Sequence, residues 1–213
     1  MTPFLMGAAV LVVVLVGVFL AQAARIAHDR SDRFWGTLSF QTPSGVAFES
    51  LEGLSEYSDA VVLGRIVGID KGRVFGELEP EAPDPEEGRV HYLTARLDVE
   101  RLLRGELVPG SERQLKLELP MPNEDKFQEL AANAPSERGV YFLFNAGHSA
   151  AQNNLSKQRQ EADREYYALV AVGAQAREMD GKVHGLGNPD LDFLEQYEGD
   201  AFGGFVEQVA ALR

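Results

Sequence analysis

Apolar and polar residues alternate at period two through "HYLTARLDVERLL", residues 91–103. Leu93, Ala95, Leu97 and Val99 share one face, and Tyr92, Thr94, Arg96, Asp98 and Glu100 share the other. Successive side chains of a strand point to opposite faces, so this stretch predicts a strand with one face on a core and one in water. After a turn marked by Pro109-Gly110, "RQLKLEL" repeats the alternation through Leu115, Leu117 and Leu119. "GVYFLFN" and "YYALVAV" are short, nearly all-apolar runs that predict further strands. "AREMDGKVHG" predicts a hairpin, because Asp180-Gly181 supplies the positive-φ residues that a two-residue turn prefers.

"YSDAVVLGRIVGI", residues 57–69, is apolar on both faces. Val61, Leu63, Val67 and Ile69 lie with Arg65 on one, and Ala60, Val62, Gly64, Ile66 and Gly68 on the other. Such a strand is expected to be central, with its glycines allowing a sharp bend or the approach of another backbone. Arg65 either leaves at the rim or pairs with a carboxylate. Six or seven strands without βαβ alternation predict a mainly β domain, an antiparallel barrel or sandwich.

Helical spacing occurs at both ends of this β region. Leu51, Leu54 and Tyr57 in "ESLEGLSEYSD" predict a short helix. The C-terminal stretch predicts a longer one, capped by Asn188, with Pro189 at its first position and Asp190 and Asp192 at the positive end of its dipole. Its stripe of Leu191, Leu194 and Tyr197 continues after a break near Gly199 as Phe202, Phe205, Val206, Val209 and Leu212, with Gly203-Gly204 loosening the second half. Packing on the domain is the expected use of that stripe, and docking to a partner the alternative.

Ahead of all this, Phe4 to Ala21 is an unbroken apolar run. Eighteen residues at about 1.5 Å each nearly match a hydrocarbon core of roughly 30 Å, which predicts a membrane-inserting helix. Ala21-Gln22-Ala23 has the small-x-small form of a signal-peptidase site, yet the run is longer than a usual signal core and so favours a retained anchor. Arg25, Arg30 and Arg33 flank its C-terminal end and by the positive-inside rule would hold the domain in the cytoplasm; a basic segment ahead of Met1 would reverse that. The expected organisation is a transmembrane anchor or signal segment over 1–24, a juxtamembrane linker over 25–47 carrying Phe34 and Trp35, and a β-barrel domain over 48–213. Those two rings either rest among lipid headgroups or pack on the domain.

The chain has 213 residues and no cysteine, which excludes disulfides, thiolate metal sites and thiol nucleophiles. Beyond residue 33 it carries 17 Lys and Arg against 31 Asp and Glu, a net charge of −14. A surface of that sign repels phosphate backbones, so nucleic acid is not an expected partner. Six carboxylates and three prolines in "GELEPEAPDPEEG" predict a solvated loop between the first two strands. Glu77, Glu79, Glu81, Asp84, Glu86 and Glu87 offer oxygen ligands, but without the spacing or turn glycine of an EF-hand. "NAGHSAAQNNLSKQRQEADRE" predicts a flap or a short surface helix, and contains the glycosylation triplet Asn154-Leu155-Ser156.

Little chemistry is legible. His28, His91, His148 and His184 lie far apart, and no glycine-rich loop has phosphate-binding spacing. "GHSAA", 147–151, is only loosely like a nucleophile elbow, with Ala151 in place of the second glycine and a polar insertion around it. No catalytic, cofactor-binding or metal-binding residue is assigned, and no cofactor.

In order and length, "SDAVVLGRIVGI", "YLTARLDVERLLRGEL", "RQLKLEL", "GVYFLFNAG" and "YYALVAVG", followed by a hairpin and a terminal helix, resemble the netrin-like barrel of tissue inhibitors of metalloproteinases. They resemble still more its cysteine-free, exported bacterial form. Ser58-Asp59 before the first strand, Val99 to Gly105 at a strand end and Tyr141-Phe142-Leu143 carry the resemblance, over about 50–212. It implies an OB-like five-stranded barrel with flanking helices. Inhibition in animal members uses an N-terminal cysteine on the protease zinc; this chain has no cysteine, so no inhibitory residue carries over.

The expected function is a membrane-tethered, extracytoplasmic β-barrel module that binds a cell-envelope protein partner through the loops at 72–89 and 147–165. The alternatives are a cell-envelope hydrolase using paired carboxylates, a secreted form after signal cleavage, and a cytoplasmic-facing regulator.

Overall fold

The structure, a computed structural model, describes residues 22, 25–38, 48–76, 89–171, 173–185 and 189–212. The apolar run 4–21, the acidic loop residues 77–88 and the expected cap Asn188 lie outside the described residues. No helix among the described residues is long and apolar enough to cross a membrane.

The protein is mainly β, with seven strands in one sheet: β1 (Ala60–Phe75), β2 (Val90–Gly105), β3 (Gln114–Met121), β4 (Arg138–Asn145), β5 (Tyr166–Leu169), β6 (Gln175–Met179) and β7 (Lys182–His184). Helix α1 covers residues 25–38, followed by α2 (Leu51–Tyr57), α3 (Phe127–Ala132), α4 (Ala146–Gln152), α5 (Lys157–Asp163) and α6 (Phe202–Ala211). β1 pairs with both β2 and β4, β2 with β3, β3 with β5, and β5 with β4, so five strands form a closed ring of pairings. β6 and β7 extend the sheet from the other edge of β4.

One of these pairings corrects the antiparallel expectation: β3 and β5 run parallel, Lys116 opposite Tyr166 and Leu117 opposite Tyr167. β5 follows a long connection through α3, β4, α4 and α5, and such a crossover is what a parallel neighbour requires.

The alternation in β2 and β3 holds. Leu93, Ala95, Leu97, Leu115, Leu117 and Leu119 are buried in a cluster to which all five ring strands contribute. β1 is central as expected, but its faces do not keep period two to the end. An extra residue, Val67, bulges between Ile66 and Gly68, so Ile69 joins Val62 and Ile66 in the ring cluster instead of following Val61 and Leu63. Val67 itself is exposed. Gly64 serves the close approach foreseen for it: a Cβ there would lie 2.3 Å from the Asp98 carbonyl oxygen of β2. The Asp180-Gly181 turn has φ of 52° and 75° and joins β6 to β7 as predicted.

On the other face of β1 and β4 lies a second cluster. Val61, Leu63, Val140 and Phe142 pack there with Leu51 and Leu54 of α2 and Phe202, Phe205, Val206 and Val209 of α6. The C-terminal stripe is therefore used internally. α2 starts as expected, with the Ser50 side chain accepting from Gly53 N–H, but Tyr57 is 58 % exposed and Ser55 takes the inward place. The C-terminal helix is shorter than expected. Residues Pro189–Tyr197 are 3-10 turns kinked at Leu191, and Gly199 at φ 82° separates them from the ten residues of α6.

The largest difference is at 25–47, which the mixed charges mark as a linker. Residues 25–38 instead form α1, and Ser31, Phe34, Trp35 and Leu38 make an i, i+3, i+4, i+7 stripe that is 5 % exposed or less. Phe34, Trp35 and Leu38 belong to the ring cluster. Arg177 of β6, 4 % exposed, donates from Nη1 to Ser31 Oγ at 2.7 Å and to Asp32 Oδ1 at 3.0 Å, while Ser31 donates to Glu137. Both rings thus pack on the domain. Burying three large apolar side chains stabilises by roughly 1.5–3 kcal/mol each, comparable in sum with the whole stability of about 5–15 kcal/mol for a domain. A chain beginning at residue 24 is expected to unfold in urea as one cooperative transition, and a chain beginning at residue 48 to show none. Equal midpoints by circular dichroism would show that α1 adds nothing.

Candidate binding cleft

β4 pairs with β1 only over Ala60–Arg65, so the second half of β1 leaves the ring with β2 as its ladder partner. Near its end the register shifts, with Gly72 and Arg73 both opposite Tyr92. Such a bulge re-aims a side chain. It requires glycine beside it, because a Cβ on residue 72 would lie 2.6 Å from the Tyr92 carbonyl oxygen.

The re-aimed side chain is Arg73. Its Nε donates to Glu118 Oε1 at 2.6 Å, its Nη2 to Glu118 Oε2 and its Nη1 to Asp163 Oδ1. Glu118 and Asp163 are 4 % and 5 % exposed. Burial pulls the Arg73 pKa down, but hydrogen bonds and charge from the two carboxylates outweigh it and leave the guanidinium above its usual value. The guanidinium carbon lies 3.9 Å from the ring centre of Tyr166 and 4.8 Å from that of Phe75. Arg159 of α5 donates from Nε to Asp163 Oδ2 at 2.6 Å and lies 4.5 Å from the same Phe75 ring centre. Phe75 and Tyr92 meet edge to face at 5.4 Å. Burial first, and then the charge of Glu118, raise the Tyr92 hydroxyl pKa.

Against this quartet of two arginines and two acids lies a cavity of about 270 Å³, lined also by Phe75, Tyr92, Phe144 and residues of α4. Asn145 positions α4. Its side chain accepts from Gly147 N–H at 3.0 Å and His148 N–H at 3.3 Å, starting α4 directly after β4. Ser156 likewise accepts from Arg159 N–H at 3.2 Å and starts α5. The polar insertion foreseen as a flap or a short surface helix is thus two short packed helices. The ends of the two loops expected to form a binding surface, 72–89 and 147–165, do meet here, through Arg73 and Phe75 on one side and Ala150, Leu155, Arg159 and Asp163 on the other.

Two other depressions, of about 490 Å³ and 500 Å³, are wider. Neither contains a buried charged side chain. In the second, His148 Nδ1 lies 3.2 Å from Asp59 Oδ1, and Asp59 Oδ2 accepts from Asn145 N–H at 2.7 Å. Ser149 borders both this depression and the cleft. "GHSAA" therefore stands closer to a strand-to-helix junction than its polar setting suggests. It still does not form an elbow, since Ser149 lies inside α4 and Asn145 already takes the Gly147 and His148 N–H groups. Among the described residues no three His, Asp or Glu side chains gather as metal ligands.

Arg65 pairs with a carboxylate: Nη2 and Nε donate to Glu100 Oε1 at 2.7 Å and 3.0 Å, and Arg138 reaches Glu100 and Glu178 beside it. This is a surface ladder with the Arg65 side chain 48 % exposed. Glu118, Asp163 and Arg73 carried no signal in the sequence, where Glu118 reads as an outward residue of an alternating strand. Compared with known proteins, the chain matches no family model, no curated protein and no solved structure.

Removing one partner of a buried pair costs about 3–5 kcal/mol, whereas an exposed pair is worth about 0–1 kcal/mol. Arg73→Met is therefore expected to lower urea-unfolding stability by about 3–5 kcal/mol and Arg65→Met by less than about 1 kcal/mol. Equal losses would contradict the assignment of Arg73 as the partner of two buried carboxylates.

Proposed function

We propose that this protein is a membrane-tethered, extracytoplasmic module that binds a cell-envelope protein through the cleft between β1 and α4–α5. The carrying observation is that the end of β1 and the α4–α5 segment meet at one cavity, where the buried carboxylates Glu118 and Asp163 are paired with Arg73 and Arg159 beside an aromatic wall. Pockets of that composition, mostly apolar with few fixed polar groups, are the usual form of a binding site. The tether is read from the run Phe4 to Ala21. The ring order β1-β2-β3-β5-β4, closed by β4 on β1, supports reading the fold as an OB-like barrel of netrin type. A hydrolase with paired carboxylates is less well supported. Glu118 and Asp163 both accept from Arg73, which leaves neither placed as a general acid.

Protease added to intact cells is expected to digest the domain, and complete protection would overturn the extracytoplasmic placement. A photo-reactive residue at Leu155 on the intact chain is expected to cross-link one envelope protein, with the adduct lost in Phe75→Ala. An adduct pattern unchanged by Phe75→Ala would overturn the cleft as the binding surface.

A further inference from the structure

We propose that the cleft takes a carboxylate carried on a small apolar body, held by the guanidinium of Arg159 against the Phe75 ring. The inference rests on the binding reading above and names the chemistry of the group that would be bound.

The two arginines of the cleft are not equivalent. All three guanidinium nitrogens of Arg73 are engaged by Glu118 and Asp163, so it frames the cleft. Arg159 uses only its Nε, on Asp163 at 2.6 Å, and among the described residues its Nη1 and Nη2 atoms have no partner. Asp163 on one edge and Phe75 on one face hold the Arg159 plane, and the Ser156 cap fixes the turn of helix that carries it. A planar guanidinium held on one edge and one face presents its remaining N–H groups as a preformed fork. A carboxylate matches that fork with two parallel hydrogen bonds.

Polarity and size narrow the class. The remaining lining includes Tyr92, Phe144, Ala150 and Leu155, which suits an aryl or alkyl body. It opposes a strongly hydrated dianion such as phosphate, which would lose its water shell to apolar walls beside Glu118. About 270 Å³ accommodates one side-chain-sized group. The C-terminal residue of a peptide and a free organic acid share this chemistry.

The test uses the full chain in detergent micelles and fluorine NMR titration with 4-fluorobenzoate, 4-fluorobenzamide and inorganic phosphate. Binding of the benzoate is expected, with the benzamide about tenfold weaker or more and phosphate weaker than the benzoate. Arg159→Gln is expected to weaken benzoate binding about tenfold or more, and Arg159→Lys to recover only part of it, because a point charge lacks the fork. Leu155→Trp, which fills the cavity without touching the charges, is expected to abolish binding while circular dichroism reports an unchanged fold. N-acetyl-Ala-Phe with a free or an amidated C-terminus separates the two sources: tighter binding of the free peptide than of the benzoate assigns a peptide end, and the reverse a free acid.

No binding of the benzoate, equal binding of benzoate and benzamide, tighter binding of phosphate, or indifference to Arg159→Gln would each overturn the proposal. Capture of the envelope partner through Leu155 without carboxylate binding would remove the ligand class and leave the binding module standing. Carboxylate binding without any captured protein would remove the protein partner and leave this site.

Discussion

Closure of the strand ring depends on a junction two residue pairs long, where Lys116 and Leu117 of β3 meet Tyr166 and Tyr167 of β5 in parallel. Without it β3 and β5 would each expose an unpaired ladder edge, and the cluster inside the ring would open to water. Side chains reinforce the short ladder. Tyr167 is fully buried and its hydroxyl accepts from Val108 N–H at 2.7 Å, while Tyr166 lies under the guanidinium of Arg73 and within 5.1 Å of Lys116 Nζ. Through Tyr166, the seam that closes the fold also supports Arg73 at the edge of the cleft. Asp163, three residues before Tyr166, takes its position from the same seam.

Two arginines, Arg177 buried and Arg73 half-buried against buried carboxylates, tie remote parts of the chain to this frame. Arg73 joins β1 to α5 and Arg177 joins β6 to α1, and both satisfy acceptors far away in sequence. Buried ion pairs seldom exceed the stability of a well-packed apolar replacement, since desolvation offsets most of their attraction. Their directional bonds do select one arrangement among several that apolar contacts alone would allow. We read that selection as their role here, with α5 and α1 as the elements so placed.

What the sequence discloses follows how local the cause is. β2 and β3 are legible because their alternation reports one core face directly, and the 180–181 turn because its positive φ restricts the residue type. α1 is not, since Arg25, Asp29, Arg30, Asp32 and Arg33 surround a stripe whose three apolar members, Phe34, Trp35 and Leu38, have their partners in the ring. The bulge at Val67 reverses the face assignments of Gly68 and Ile69 in β1 and leaves no local mark. The cleft is legible only as two irregular segments. Its chemistry arises when residues 73, 118 and 163 meet, a product of topology that period and composition do not encode.

On the proposed anchoring, the position of α1 has a mechanical consequence. Its first buried residue, Ser31, comes ten positions after the end of the apolar run, so even a fully extended connection spans at most about 35 Å. A domain on so short a leash explores a thin layer above the bilayer. Partners embedded in that layer meet it at a high effective concentration, and those beyond its reach do not meet it at all. Selection among partners would then begin with distance from the membrane, before any contact in the cleft is made.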